Sequence, residues 1–209
     1  MIRTEKTAVM NFENALRGMR NPLSSWDRID SFTDAEGCFV LGENDRALAR
    51  RLCQAGSDHR KFIRQIFVSV DITAPLYWWK EYDTYKVGTV ANSTSTMHKI
   101  HAKPFSLEDF SHDQMDGETL RQLQLTVDFL EALRQRYLAG KERRYWYDMI
   151  QLLPSSYNQM RTCTLNYENL RGIYNARREH KLDEWRAFCR WIESLPYAAD
   201  LILPGGEGE

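Results

Sequence analysis

Between Ala74 and His98 the chain passes from Ala74-Pro75 through Trp78-Trp79 to a dense block of short polar side chains, Asn92-Ser93-Thr94-Ser95-Thr96. The hydroxyls, amides and backbone N–H groups of such a block can bond the oxygens of a phosphate or another anion. Lys86, just upstream, supplies the positive charge that a phosphate attracts. The same composition also suits a Ser/Thr-rich loop that caps the helix after it, and spacing alone leaves both readings open. Further along, Asn166 stands near a helix start, and Arg177-Arg178 stand near the far end of that helix. The asparagine can cap the helix. The arginines can meet the helix dipole, or clamp a phosphate or a pyrimidine carbonyl.

Other chemistries have less behind them. His98 and His101 could share one helical face, but no third ligand lies nearby in the sequence, so solvated or hydrogen-bonded histidines are expected rather than a metal site. Cys38, Cys53, Cys163 and Cys189 form no Cys-x-x-Cys pair, and without a secretion signal reduced thiols are expected. Cys189 falls on an apolar helical stripe and reads as core. Gly-x-Ser-x-Gly, Walker and Gly-x-Gly-x-x-Gly patterns are absent, which removes the usual support for serine hydrolases, P-loop enzymes and Rossmann dinucleotide binders. Trp78, Trp79, Tyr82 and Tyr85 form an aromatic stripe that suits core or oligomer packing, or a wall for a planar cofactor.

The elements that must carry these residues follow from periodicity. A helix is expected over about 4–19, with Val9, Phe12, Leu16 and Met19 on one face and Asn21-Pro22 ending it. Residues 22–44 are polar and turn-rich. Asn44-Asp45 can cap a helix over 46–55 that Gly56 closes. Ile66, Val68, Val70 and Ile72 alternate with polar residues and predict a half-buried strand, after which Ala74-Pro75 opens a helix. Helices are also expected over about 118–139, with Gly140 as the stop, and over 143–152, 166–178 and 182–195. Helices around few strands make the class α+β. No linker is evident, and a single domain over 1–209 is expected, with a disordered tail over 204–209.

Composition sets the remaining bounds. The 209 residues are 43% hydrophobic and 27% charged, with a formal net charge of −1. No global field draws the chain to a nucleic-acid polymer or a membrane surface, so an anion site must be local. No apolar run is long enough to cross a bilayer, and a cytoplasmic location is the expected default.

The order of these pieces resembles the flavin-dependent thymidylate synthases. Leu48 to Gly56 followed by Ser57-Asp58-His59-Arg60, then the strand, Ala74-Pro75 and a helix match that family's order. Leu153-Pro154, Thr164-Leu165-Asn166 and Arg177 match it further on, so the resemblance covers about 45–195. The family motif Arg-His-Arg-x-x-Ser-x-Asn-Glu-x-Ser-x-Arg aligns through Asn92 and Ser95. Its first three residues become Tyr85-Lys86-Val87, its glutamate Ser93 and its last arginine Met97. Ile150 replaces a further arginine, and Gln65 stands where a histidine is usual.

The resemblance implies a helix-rich domain around a small, mostly antiparallel sheet. It implies FAD between the subunits of a homotetramer, a pyrimidine deoxynucleotide as substrate, and NADPH and methylene-tetrahydrofolate as cosubstrates. It gives Ser95 and Arg177 the catalytic and substrate contacts, Lys86 a share in the nucleotide and flavin pocket, and Asn92, Asn166, Asn175 and Gln65 contacts to the flavin. The missing arginines leave room for a different pyrimidine modification, such as hydroxymethylation, or for a non-catalytic interaction protein of the same fold.

Overall fold

A computed structural model describes residues 1–203; the expected disordered tail over 204–209 lies outside them. By internal contacts the chain divides into two compact units. The first comprises Met1–Arg3, Ile72–Thr84 and Asn92–Thr162, and the second Thr4–Asp71, Tyr85–Ala91 and the chain from Cys163.

The elements follow in the order β1 (Arg3–Met10), α1 (Phe12–Met19), β2 (Phe32–Thr33), β3 (Phe39–Val40), α2 (Glu43–Gln54), β4 (Phe67–Pro75), α3 (Leu76–Tyr82) and β5 (Val90–Ser93). They continue with α4 (Gly117–Gly140), α5 (Arg143–Leu152), β6 (Asn158–Asn166), α6 (Tyr167–Arg177), α7 (Asp183–Glu193) and α8 (Ala198–Leu201). Four strands form a small antiparallel sheet in the order β1-β4-β6-β5, and β2 and β3 pair separately as a hairpin. Tyr167 donates its N–H to Ile66 O at 3.1 Å, and Leu76 donates to Tyr157 O at 3.0 Å, which fixes β4 and β6 as antiparallel partners. The expected α+β class, helix-rich around a small sheet, is the observed one.

The buried row is the one that alternation predicts: Ile66 just before β4, then Val68, Val70, Ile72 and Ala74 within it, are all buried. Pro75 caps α3 in extended conformation, as a residue without an N–H can. The first unit packs Ile100, Phe105, Phe110, Leu123, Leu130 and Met149 into one core cluster. In the second unit Phe12 stacks on Phe39 at 5.1 Å and meets the edges of Tyr167 and Tyr197, while Trp185, Phe188, Cys189 and Ile192 bury one stripe of α7.

Three expectations require correction. The helix over 4–19 is instead a strand and a helix, because Asn11 adopts φ 75° and ends the strand just before α1. Gly42, not Asn44, caps α2; Asp30 accepts the N–H groups of Asn44 at 2.7 Å and Asp45 at 3.0 Å in its place. Burial works against ionisation of Asp30, yet those N–H donors hold its carboxyl below the usual range. Third, Lys141 in the left-handed region, at φ 53°, terminates α4 one residue past Gly140.

The four cysteines are thiols, with Cys38 exposed and Cys53, Cys163 and Cys189 buried. Burial pushes the Cys53 and Cys189 thiols up to about 11, so neither presents a thiolate at neutral pH. Titration of native protein with an aromatic disulfide reagent is expected to modify Cys38 fast and the other three only after denaturation. Rapid modification of a second cysteine would contradict this packing.

Candidate functional site

In the first unit β5 delivers Asn92 to an exposed strand end, and Ser95 follows in the bend after it. Ser95 Oγ accepts the N–H of His98 at 2.9 Å and of Met97 at 3.3 Å. The hydroxyl therefore caps the following turn, the capping role that composition allowed, while its own O–H remains able to donate. Thr94 donates both its N–H (2.9 Å) and its Oγ1–H (3.2 Å) to Met160 O, and Gln159 Nε2 donates to Thr94 O at 2.8 Å. The polar block is thus fixed along β6 rather than left as a free loop.

Ser95 lines a cleft of about 1070 Å³ together with Thr94, Lys99, Lys103, Phe110 and Tyr157. That volume lies just above the range of ordinary small-molecule sites, about 300–1,000 Å³. Lys103 bonds the Asp109 carboxylate, which holds its amine above the usual lysine range, and burial pushes the Tyr157 phenol up. At neutral pH the cleft therefore presents an ammonium group and a neutral phenol beside the serine hydroxyl.

Three of the four residues of the aromatic stripe are core, while Tyr85 is half-buried and belongs to the second unit. Trp78, Trp79 and Tyr82 are almost fully buried, so neither a cofactor wall nor a subunit surface is available there. Trp79 Nε1 donates to Gln159 O at 2.9 Å, and the Arg161 guanidinium lies 4.1 Å from the Trp79 ring centroid. Arg161 also donates to Asp83 at 2.8 Å and to Gln159 Oε1 at 3.0 Å. Sequence reasoning missed Arg161, because the inward row of β6 begins with polar residues, Gln159 and Arg161, that do not mark it as a strand. His101 packs against Tyr137, and burial, reinforced by Lys141, Lys99 and Arg134, holds its pKa down. Among the described residues no group of three or more His, Cys, Asp or Glu is arranged to hold a metal ion.

In the second unit Asn166 caps α6 through a reciprocal pair. Asn166 Oδ1 accepts the Asn169 N–H at 2.9 Å, and Asn169 Oδ1 accepts the Asn166 N–H at 3.1 Å. The turn Tyr85–Thr89 packs onto this cap. Asn169 Nδ2 donates to Val87 O at 2.8 Å, and Gly88 (φ 77°) faces both amides, where a Cβ would lie in ordinary contact at 3.4–3.5 Å. Arg177, from the last turn of α6, donates Nε–H to Tyr85 Oη at 2.7 Å. Its guanidinium lies 4.8 Å from the Trp185 centroid and 5.6 Å from that of Tyr85, a cation–π arrangement.

The structure thus gathers three of the expected residues around one turn: Lys86 on it, Asn166 beneath it and Arg177 bonded to its first residue. Lys86 is exposed, and among the described residues its ammonium has no ion pair. Asn175 and Gln65 are exposed on the same unit and bond none of these three. Tyr85, a member of the aromatic stripe, and Asn169, which was not foreseen, organise the group. The Asn-x-x-Asn spacing at the start of α6 was the available signal for Asn169.

No family model and no curated protein sequence matches this chain. Solved structures do. Thymidylate synthase X from Helicobacter pylori, crystallised with FAD and dUMP, superposes with a TM-score of 0.72 at 15% identity, covering 97% of each chain. Another structure of the flavin-dependent thymidylate synthase from that organism, complexed with FAD and dUMP, gives a TM-score of 0.67 at 16% identity, covering 96% of this chain and 97% of the other. The likeness runs end to end and establishes a shared fold. Among the described residues no helix is long and apolar enough to cross a membrane.

Proposed function

We propose that this chain is a flavin-dependent thymidylate synthase-like enzyme of the cytoplasm, converting dUMP to dTMP by reductive methylation with methylene-tetrahydrofolate and NADPH. The observation that carries the proposal is the fold match over 97% of the chain to a protein solved with FAD and dUMP. The donor set suits such ligands. Lys86 is an exposed cation, and Asn92 and Asn175 are exposed amides. FAD, when bound, would supply the two-electron carrier between NADPH and the methylene delivered to the nucleotide.

The chain's own residues would bind and polarise. On the second unit Lys86 would meet a phosphate as a point charge. Taken by itself, the first unit offers the Ser95 hydroxyl as a donor to a nucleotide oxygen. Arg177, oriented by Tyr85, would stabilise negative charge developing on a pyrimidine carbonyl. Asn166 uses its Oδ1 in the helix cap, so toward a flavin carbonyl it would act through Nδ2. Gln65 would stand near the ring through its exposed side chain. On this reading one domain assembles as a homotetramer, as the resemblance implies.

The test is direct. Purified protein is expected to take up FAD and develop flavin absorbance, and to form dTMP only when dUMP, methylene-tetrahydrofolate and NADPH are all supplied. Protein that stays colourless in an FAD titration sinks the proposal.

A second reading keeps nucleotide binding and changes the product. Val87 is 89% exposed and Met97 51% exposed, apolar side chains where the family motif has arginines. Fewer bidentate contacts would suit a different pyrimidine modification, and the mass of the nucleotide product separates methylation from hydroxymethylation.

A further inference from the structure

We infer that Asn169 is a positioning residue: its side-chain amide latches the Tyr85–Thr89 turn to the start of α6, and so sets where Lys86 and the Tyr85–Arg177 pair meet an anionic nucleotide. The role of that nucleotide rests on the function proposed above; the latch rests on geometry alone.

Asn169 has two jobs on two atoms. Its Oδ1 accepts the Asn166 N–H at 3.1 Å and completes the helix cap. Its Nδ2 donates to Val87 O at 2.8 Å, reaching 82 residues back along the chain. The turn closes on itself through Thr89 Oγ1–H to Tyr85 O at 2.9 Å and Thr89 N–H to Lys86 O at 3.3 Å. It therefore moves as a unit, and apart from the Tyr85–Arg177 bond at 2.7 Å the Asn169–Val87 bond is the described hydrogen bond that ties it to α6. Gly88 completes the turn through its φ of 77°, a conformation open to glycine and rarely adopted by L side chains. Val87 is 89% exposed, so apolar burial of its side chain cannot hold the turn. An exposed, cation-bearing turn fastened through a carbonyl to a helix cap is a preorganised binding element.

The two atoms can be separated. Asn169→Asp keeps an oxygen for the Asn166 N–H and adds a favourable charge in the first turn of α6, but replaces the donor to Val87 O with an acceptor. Thermal stability is expected to stay within error of wild type. Amide hydrogen exchange over residues 86–89 is expected to accelerate about ten-fold, the scale of one lost hydrogen bond. KM for dUMP is expected to rise about ten-fold with kcat little changed, a split that general loosening of the fold would not produce.

Gly88→Ala is the second variant. It strains the turn at φ 77°, where L side chains are disfavoured, while its Cβ would meet the cap amides only at ordinary contact distance, and the same rise in KM is expected. Unchanged exchange and unchanged KM in Asn169→Asp would overturn the inference. If wild-type protein binds no dUMP, the function proposal fails, while the exchange comparison still decides the latch: wild-type exchange rates in Asn169→Asp refute it, and accelerated ones sustain it.

Discussion

Replacing Asp45 with alanine is expected to lower the unfolding free energy by about 3–5 kcal/mol, because it strands a buried guanidinium. Asp45 is fully buried and Arg20 is 4% exposed, with Nε donating to Oδ1 at 2.6 Å. The second carboxylate oxygen accepts the Ser31 N–H at 3.1 Å and the Asp30 N–H at 3.3 Å. Asp30 in turn caps α2, and Ser31 Oγ accepts the Gly42 N–H at 3.1 Å. One carboxylate therefore ties the end of α1, the loop after it and the start of α2. Removing both charges should cost much less than removing one, since no ion is left unpaired. Urea unfolding of Asp45→Ala, Arg20→Met and the double variant Arg20→Met with Asp45→Leu measures this. A loss below about 1 kcal/mol in the single Asp45→Ala variant would mean that water reaches Arg20 and that the pair is not a structural centre.

This network shows what sequence patterning can and cannot convey. Asn44-Asp45 read as a cap, since short polar residues at a helix start usually are. In the fold the cap comes from Asp30, and Asp45 is turned inward to Arg20; neither contact has a local signature. β4 was legible because the buried row is uninterrupted, from Ile66 just before it through Ala74 in steps of two. β1 was not, because most of its side chains are exposed and the helical spacing of Val9, Phe12 and Leu16 runs across the Asn11 break. β6 was missed for another reason: its inward row begins with Gln159 and Arg161, polar residues whose burial depends on Trp79, Thr94 and Asp83.

The candidate site divides along the same line. The helix caps of Asn166 and the turn cap of Ser95 are local, formed with partners two or three residues away, and composition suggested them. The contacts that assemble the group around Lys86 span 82 residues from Asn169 to Val87 and 92 from Arg177 to Tyr85. A motif alignment marks Tyr85 only as a lost arginine. The fold shows that the substituted tyrosine acquires a partner, Arg177, which the resemblance had assigned to the substrate.

That exchange makes Arg177 the position where function is expected to be most sensitive. In Arg177→Lys the charge is kept, but the planar guanidinium that bonds Tyr85 and lies over Trp185 is lost. Under the proposed function, kcat/KM for dUMP is expected to fall at least about 100-fold, or about 2.7 kcal/mol of transition-state stabilisation. Stability should fall by about 2 kcal/mol, the scale of a desolvated cation–π contact. Tyr85→Phe separates orientation from contact, since it removes the hydroxyl but leaves the ring beneath the guanidinium. It is expected to lose about ten-fold in kcat/KM, the scale of one hydrogen bond to a charged group. FAD affinity measured in parallel guards against a general collapse of the site. If Arg177→Lys turns over dUMP like wild type while melting earlier, Arg177 serves only to clamp Tyr85 and Trp185, and the nucleotide must be polarised from elsewhere, with the Ser95 cleft and its Lys99 and Lys103 ammonium groups the next place to look.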